Sequence, residues 1–293
     1  MATLRELKGR IGSVASTEKI TGAMKMISSA KMHRAEGDLR RLLPFRRQIE
    51  SIIGNLLTAD AEFSSPLTET RDVRRAGVVV FGSDDGLCGG YNINIFKGLL
   101  QKIAEMRNSW GQHLEIVLIP VGRKMLKACS KLEGQGIRCE APADINTKSS
   151  AADIKRFCFD LQGRFTSGAL DRIDIMYMNF QTVSRQRLRS DAFLPLDAST
   201  ISGTGANQCR PCIFEPDAQT IFRSVIPMYL LSSMQEIFTE NRASEQAARI
   251  MAMQSANDNA KNLLEQLQLE YNKLRQQGIT NELLDILGGQ VNN

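Results

Sequence analysis

The chain has 293 residues, 42% of them apolar and 24% charged, with a net charge of +5, an ordinary soluble composition that can bury a core and excludes disorder along the whole length. No stretch approaches the roughly 20 uninterrupted apolar residues of a membrane helix. The N-terminus, Met-Ala-Thr-Leu-Arg-Glu-Leu-Lys, mixes charges with apolar residues and has no hydrophobic signal core, so the expectation is no membrane span and a place in the cytosol or on a matrix-like side, where the six cysteines are thiols.

The charge is unevenly spread. Met1 to Leu57 holds eleven Lys/Arg against five Asp/Glu, and Ala218 to Asn293 holds six against eight. A basic first segment suits nucleic acid, an acidic protein surface or a plain solvated face. Its Lys and Arg are not clustered in runs with interleaved aromatics, which argues against nucleic acid.

In chain order, residues 1–57 read as a long helix. Leu4, Leu7, Ile11 and Val14 alternate steps of three and four, the spacing of a coiled-coil seam. The seam then thins through Thr21, Gly22, Ala23, Ser28 and Ser29, with Ile20, Met24 and Ile27 as its bulky members, and Leu39, Leu42, Ile49, Ile53 and Leu56 restore the stripe. Pro44 inside this pattern predicts a kink or a local end, one bent rod being preferred over a helical hairpin. Met24, Met26 and Met32 by themselves read as helix packing.

Residues 58–75 read as a linker and 76–217 as a globular α/β domain. Ala76–Phe81, Leu114–Gly122 and Arg172–Phe180 are predicted strands, with helical patterns near 94–107, 124–132 and 151–165 between them. That alternation predicts a parallel, Rossmann-like layered domain. Further extended segments are expected at 186–194 and 209–214, with a glycine-containing loop over 199–207.

Residues 218–293 read as a second long helix with Pro227 near its start. Leu230, Met234 and Ile237 give a bulky stripe, alanines follow from Ala243 to Ala260, and bulk returns at Leu264, Leu267, Tyr271 and Leu274. A run of about 60–70 residues spans about 100 Å, which implies a coiled coil. Laid antiparallel so that partner numbers sum to about 274, bulky meets bulky and small meets small: Leu7 faces Leu267, Ile11 faces Leu263, and Ile53 faces Ile221. Residues beyond about Leu274 then outrun their partner, and Ile279, Leu283, Leu284, Ile286 and Leu287 would give that tip an apolar surface.

Chemistry-bearing motifs are weak. The stretch Gly82-Ser-Asp-Asp-Gly-Leu-Cys-Gly-Gly-Tyr-Asn92 follows a strand, but it is not G-x-G-x-x-G and no Gly-Lys-Ser/Thr follows it. Asp84 and Asp85 would also repel a pyrophosphate, so a structural turn is the better reading. Cys209-Arg-Pro-Cys212 is a lone C-x-x-C, read as plain thiols by default and as a redox pair in the alternative. A zinc site would need two more ligands, and the two histidines, His33 and His113, lie in unrelated segments. No catalytic constellation, cofactor or metal site is predicted.

Three stretches carry a resemblance. Ile11-Gly-Ser-Val-Ala-Ser-Thr-Glu-Lys-Ile-Thr-Gly-Ala-Met-Lys-Met-Ile-Ser-Ser-Ala-Lys-Met32 resembles the first helix of F-type ATP synthase gamma subunits. Ser83–Asn92 is similar to the family's S-D-R-G-L-C-G-G-x-N turn. Ser244-Glu-Gln-Ala-Ala-Arg249, Asn257-Asp-Asn-Ala260 and Arg275-Gln-Gln-Gly-Ile-Thr-Asn-Glu282 match its C-terminal helix. The resemblance implies a rotor shaft that has no catalytic site and stands inside a ring of alpha and beta subunits. Its α/β domain would join the epsilon subunit and the c-subunit ring, on the cytoplasmic face of a bacterial inner membrane. It implies contact and coupling roles toward beta for Met24, Lys25, Arg249, Gln276, Thr280 and Glu282. Two departures stand out. Asp85 replaces the turn's usual arginine, and the Cys209/Cys212 insertion is shorter than the redox loop of chloroplast relatives and differently spaced, so thiol regulation is not carried over. A coiled-coil adaptor with a ligand-binding domain and a nucleotide-dependent enzyme built on the Gly82–Asn92 turn are the competing readings.

Overall fold

The computed structural model describes residues 3–57, 63–197 and 214–290. Helix α1 (Leu4–Leu57) opens on a capping box in which the Glu6 carboxylate accepts from the Thr3 N–H at 2.9 Å and the Thr3 hydroxyl accepts from the Glu6 N–H at 3.3 Å. The last helix, α5 (Ala218–Gln290), is 73 residues long. Pro44 and Pro227 both lie inside these helices. Helix α5 begins at Ala218, ahead of Pro227, because Asp217 caps it, accepting from the Thr220 N–H at 2.8 Å and from the Thr220 hydroxyl at 2.7 Å.

Between them run β1 (Arg75–Phe81), α2 (Tyr91–Trp110), β2 (Glu115–Val121), α3 (Arg123–Cys129) with a single 3₁₀ turn after it, β3 (Ile137–Cys139), α4 (Ala151–Thr166), β4 (Arg172–Thr182) and β5 (Arg185–Leu194). The sheet order is β3-β2-β1-β4-β5. The first four strands are parallel, and β5 folds back antiparallel on β4 with Ile175 opposite Asp191 and Tyr177 opposite Arg189. The sheet is therefore mixed, where strand–helix alternation alone predicts a parallel one. The short turn after Thr182 leaves no chain for a crossover, so the next strand must pair antiparallel. The three-residue β3 escapes sequence reading because it has too few residues for a period to register.

The central strand β1 is buried on both faces, which is why it reads as the unbroken run Ala-Gly-Val-Val-Val-Phe. Val78 and Val80 point to one side, where Ile95, Leu99 and Met106 of α2 and Met125 of α3 close over them. Val79 and Phe81 point to the other, against Phe157, Leu161 and Phe165 of α4, Ile53 and Leu56 of α1, and Phe222, Ile226 and Leu230 of α5. Each such side chain, fully buried, contributes about 1.5–3 kcal/mol. Phe238 meets Phe81 edge to face at a centroid distance of 4.7 Å. These elements form one compact unit, Ser29 to Ala248.

The second unit is made from the ends of the two long helices, up to Ser28 and from Arg249 on. Within it the Asn257 side-chain amide donates to the Glu18 carbonyl at 2.8 Å and to the Thr21 hydroxyl at 3.3 Å. Carried along both helices, that register sets Leu7 opposite Leu267, Ile11 opposite Leu264, Val14 opposite Ala260 and Thr21 opposite Met253. All eight are buried or half-buried. Leu263, expected to face Ile11, is instead exposed, one position off the seam. Ile20 and Ile27 are likewise exposed, and the seam runs through Thr21 and Ser28 at strict heptad spacing from Leu7 and Val14. Among the described residues no helix is long and apolar enough to cross a membrane.

Candidate functional site

The Gly82–Asn92 turn is built as a joint. Gly82 ends β1 where α3 crosses it: a Cβ there would lie 2.7 Å from Met125 Cβ, so only glycine fits. The Ser83 N–H donates to Asn92 Oδ1 at 3.1 Å, and Asn92 Nδ2 returns a bond to Ser83 Oγ at 2.8 Å. Buried Asp84 accepts from the Arg123 N–H at 3.1 Å on one oxygen, and from the Thr147 N–H at 3.1 Å and the Thr147 hydroxyl on the other. The carboxylate and carbonyl groups of the turn are thus taken up by the protein itself.

Helix α5 reaches into this joint. Asn241 Nδ2 donates to the Gly82 carbonyl at 3.0 Å, and the Tyr91 hydroxyl donates to Asn241 Oδ1 at 2.6 Å. Arg242 donates to the carbonyls of Thr147 and Ser149, and the Ser244 hydroxyl donates to the Met178 carbonyl at 2.8 Å. Asn179 Nδ2 donates to Glu240 Oε1 at 2.7 Å. Sequence reading took the turn as structural but missed these partners. Their signal is Glu-Asn-Arg at 240–242 and Ser244 interrupting an otherwise apolar and alanine-rich helix.

Asp85, the turn's second aspartate, lies between two cations: Arg123 Nη2 at 3.2 Å and Lys148 Nζ at 2.9 Å. All three are substantially exposed, so each pair contributes at most about 1 kcal/mol. The negative charge of Asp85 nonetheless has its complement in place.

The six residues expected to couple to a partner fall in the unit of helix ends. Met24 and Lys25 are half-buried, with Ile20, Met26 and Ile27 exposed around them. Gln276, Thr280 and Glu282 are exposed; Gln276 and Thr280 stand one turn apart, and the Thr280 hydroxyl donates to the Gln276 carbonyl at 2.9 Å. Arg249 differs from the rest: its side chain is 6% exposed and engaged within the chain. Met32, grouped with Met24 and Met26 by sequence, is buried, whereas Met26 is 70% exposed. Cys209 and Cys212 lie outside the described residues, as do the loop expected over 199–207 and the side chains of Ile286 and Leu287. Of the described cysteines, Cys129 and Cys158 are buried thiols that burial pushes up to about 12. Among the described residues no group of three or more His, Cys, Asp or Glu could hold a metal ion.

The ATP synthase family pattern matches residues 3–291. The chain is 38% identical to the ATP synthase gamma chain of Bacteroides thetaiotaomicron, over 99% of this chain and 100% of that one. It is 39% identical to that of Phocaeicola vulgatus with the same coverage. In fold it resembles a chain of the Euglena gracilis mitochondrial ATP synthase, in a structure of its OSCP, F1 and c-ring, with a TM-score of 0.66 at 20% identity over 98% of this chain and 93% of that one. A Tetrahymena thermophila mitochondrial ATP synthase central-stalk and c-ring structure holds a chain that matches at a TM-score of 0.56. With two mated terminal helices, a mixed sheet between them and a full-length match at both ends and the middle, the chain belongs to the ATP synthase gamma chain family.

Proposed function

We propose that the chain is the turning shaft of an ATP synthase. It is a non-catalytic subunit that carries torque between an ion-driven ring of c subunits and the catalytic sites on beta, and so couples ion flow to ATP synthesis and regulates ATPase activity. Residues 1–57 and 218–293 are its paired helices, 58–75 a linker and 76–217 the domain that meets epsilon and the c ring. It works peripherally on the cytoplasmic face of a bacterial inner membrane, with alpha and beta around the helix ends. The sheet order β3-β2-β1-β4 supports kinship of the domain with Rossmann-like folds. It is kinship of topology without the ligand, because Asp84, Asn92 and the Gly82 carbonyl are occupied by bonds from within the chain.

The observation that carries the reading is the bond from Asn257 to Glu18, which makes the two ends of the chain mates. Three identical beta sites can differ only if something asymmetric touches them differently, and a contact shifts an equilibrium only by its differential interaction with the two states. Taking a site from 1:99 to 99:1 requires about 5.5 kcal/mol. A paired helix with a basic strand and apolar outward residues supplies this by exchanging one set of contacts for another as it turns. Met24 and Lys25, beside exposed Ile20 and Ile27, are the coupling contacts of α1, and exposed Gln276, Thr280 and Glu282 are those of α5. Arg249, buried and engaged, serves by holding its helix in position.

The test is reconstitution of the chain with alpha and beta subunits of a gamma-chain relative, followed by single-molecule observation. A stable ATPase in which this chain rotates is expected. Failure to join the complex, or turnover without rotation, overturns the reading. A nucleotide-dependent enzyme would instead bind ATP or a dinucleotide as the isolated chain, and a flat calorimetric titration is expected.

A further inference from the structure

A polar cluster lies inside the larger unit, where α5 meets α1 and β4. Glu236 and Glu240 lie on successive turns of α5, and both residues are buried. Arg46 of α1 pairs with Glu236 and, at 2.8 Å, with Glu50, while its guanidinium sits 5.9 Å from the centre of the Tyr229 ring. Arg46 is therefore already committed to two carboxylates. Glu240 takes its hydrogen bond from an uncharged donor, Asn179 Nδ2 of β4, at 2.7 Å. Tyr177 of β4 and Arg189 and Asp191 of β5 face the same space, and the Tyr177 hydroxyl reaches Asp191 Oδ2 at 3.4 Å. A cavity of about 930 Å³ is lined by Arg46, Tyr177, Arg189, Asp191, Ser233 and Ile237, neighbours of the two carboxylates.

An amide N–H can donate to a carboxylate, more strongly, or to the carbonyl oxygen of a carboxylic acid, more weakly, so Asn179 keeps a bond to Glu240 in either state. Burial disfavours the charged form, and Glu236 one turn away adds like-charge repulsion; Asn179, Arg189 and Arg46 oppose this only in part. The Glu240 carboxyl is pushed up to about 7.

We propose that Glu240 is a proton-operated latch between α5 and the β4–β5 hairpin. Protonated, it packs as a neutral side chain on Asn179. Ionised, it sets a second buried negative charge beside Glu236, and the hairpin loosens from the helix. The linkage has a definite sign. The folded protein keeps this proton from the ordinary glutamate range up to about 7, where the unfolded chain has lost it, so stability falls as pH rises across that window.

The experiment uses the full-length chain. In wild type labelled with carbon-13 at the glutamate carboxyls, one resonance is expected to titrate near neutral pH. If every glutamate titrates in the ordinary acid range, the proposal is overturned. Amide hydrogen exchange across residues 172–194, corrected for the intrinsic pH effect, is expected to quicken at least ten-fold from pH 5.5 to pH 8. Glu240→Gln, which imitates the neutral form, should remove most of that increase and the matching fall in urea midpoint. Glu236→Gln frees Arg46 and should move the transition to lower pH. Identical pH dependence in wild type and Glu240→Gln overturns the latch.

Discussion

The side-chain amide of Asn257 donates to the main-chain carbonyl of Glu18 at 2.8 Å, across 239 residues of sequence. Thr21 completes the arrangement: its hydroxyl turns back to the carbonyls of Thr17 and Glu18 at 3.0 Å and accepts from the same amide. A polar residue inside a coiled-coil seam costs stability and fixes register, because a slip of one turn strands it without a partner. Gly22 lies beside this contact, and a Cβ there would make only ordinary van der Waals contact, 3.5 Å from Asn257 Nδ2.

Replacing Asn257 by Ala is therefore expected to cost about 1 kcal/mol, the net worth of one such bond. Asn257→Leu should recover that cost by apolar burial and lose the register instead. Cysteines introduced at Leu7 and Leu267 measure this. Oxidation should join them cleanly in the parent chain, while in Asn257→Leu the yield of that crosslink should fall, and a pair with its second cysteine placed at Tyr271, one turn on, should begin to join.

Gly82→Ala is expected to destabilise the larger unit by about 1–3 kcal/mol through overpacking. The new methyl meets Met125 Cβ at 2.7 Å, not the flexible end of that side chain. Shortening Met125 to Ala should therefore give no rescue, and the double variant should be less stable than Gly82→Ala alone. Urea midpoints of the three variants decide it.

Arginine at position 85 should be unfavourable in this chain. Asp85→Arg removes two ion pairs and places a third cation beside Arg123 and Lys148. The groups are exposed, so the loss should be about 0.5–1 kcal/mol and shrink at high salt, where the Debye length falls to about 3 Å at 1 M. Equal loss at low and high salt would mean that the pairs are not its cause.

The long helices were legible because their heptads repeat often enough to outvote single residues: Leu264, Leu267, Tyr271 and Leu274 all fall on the inward face. The same reasoning failed at Ile20 and Ile27, where bulk was taken as a sign of burial. There the seam is narrow and polar, and large apolar residues lie outside it with Thr21 and Ser28 within. The turn at Gly82 was recognised as structural from what it lacks, but its partners Thr147, Asn241 and Arg242 lie far off in sequence and no local pattern announces a tertiary hydrogen bond. The antiparallel β5 was seen as extended, and its direction depended on a turn too short to cross over.

Past Leu274 the paired seam ends, and Ile279, Leu283 and Leu284 are 49%, 55% and 60% exposed. Exposed leucines contribute little to the fold, so Leu283→Gln with Leu284→Gln should change the stability of the isolated chain by no more than about 0.5 kcal/mol. We propose that in the reconstituted ATPase these side chains are the apolar surface on which the shaft end turns. A polar replacement should raise friction or loosen seating, lowering ATP-driven rotation rate several-fold while assembly persists. A chain shortened after Gln277 should lose more, in both rotation and assembly. If the shortened chain assembled and rotated as well as the parent, the tip would have no bearing role, and the torque would have to pass through the surface around Met24 and Lys25.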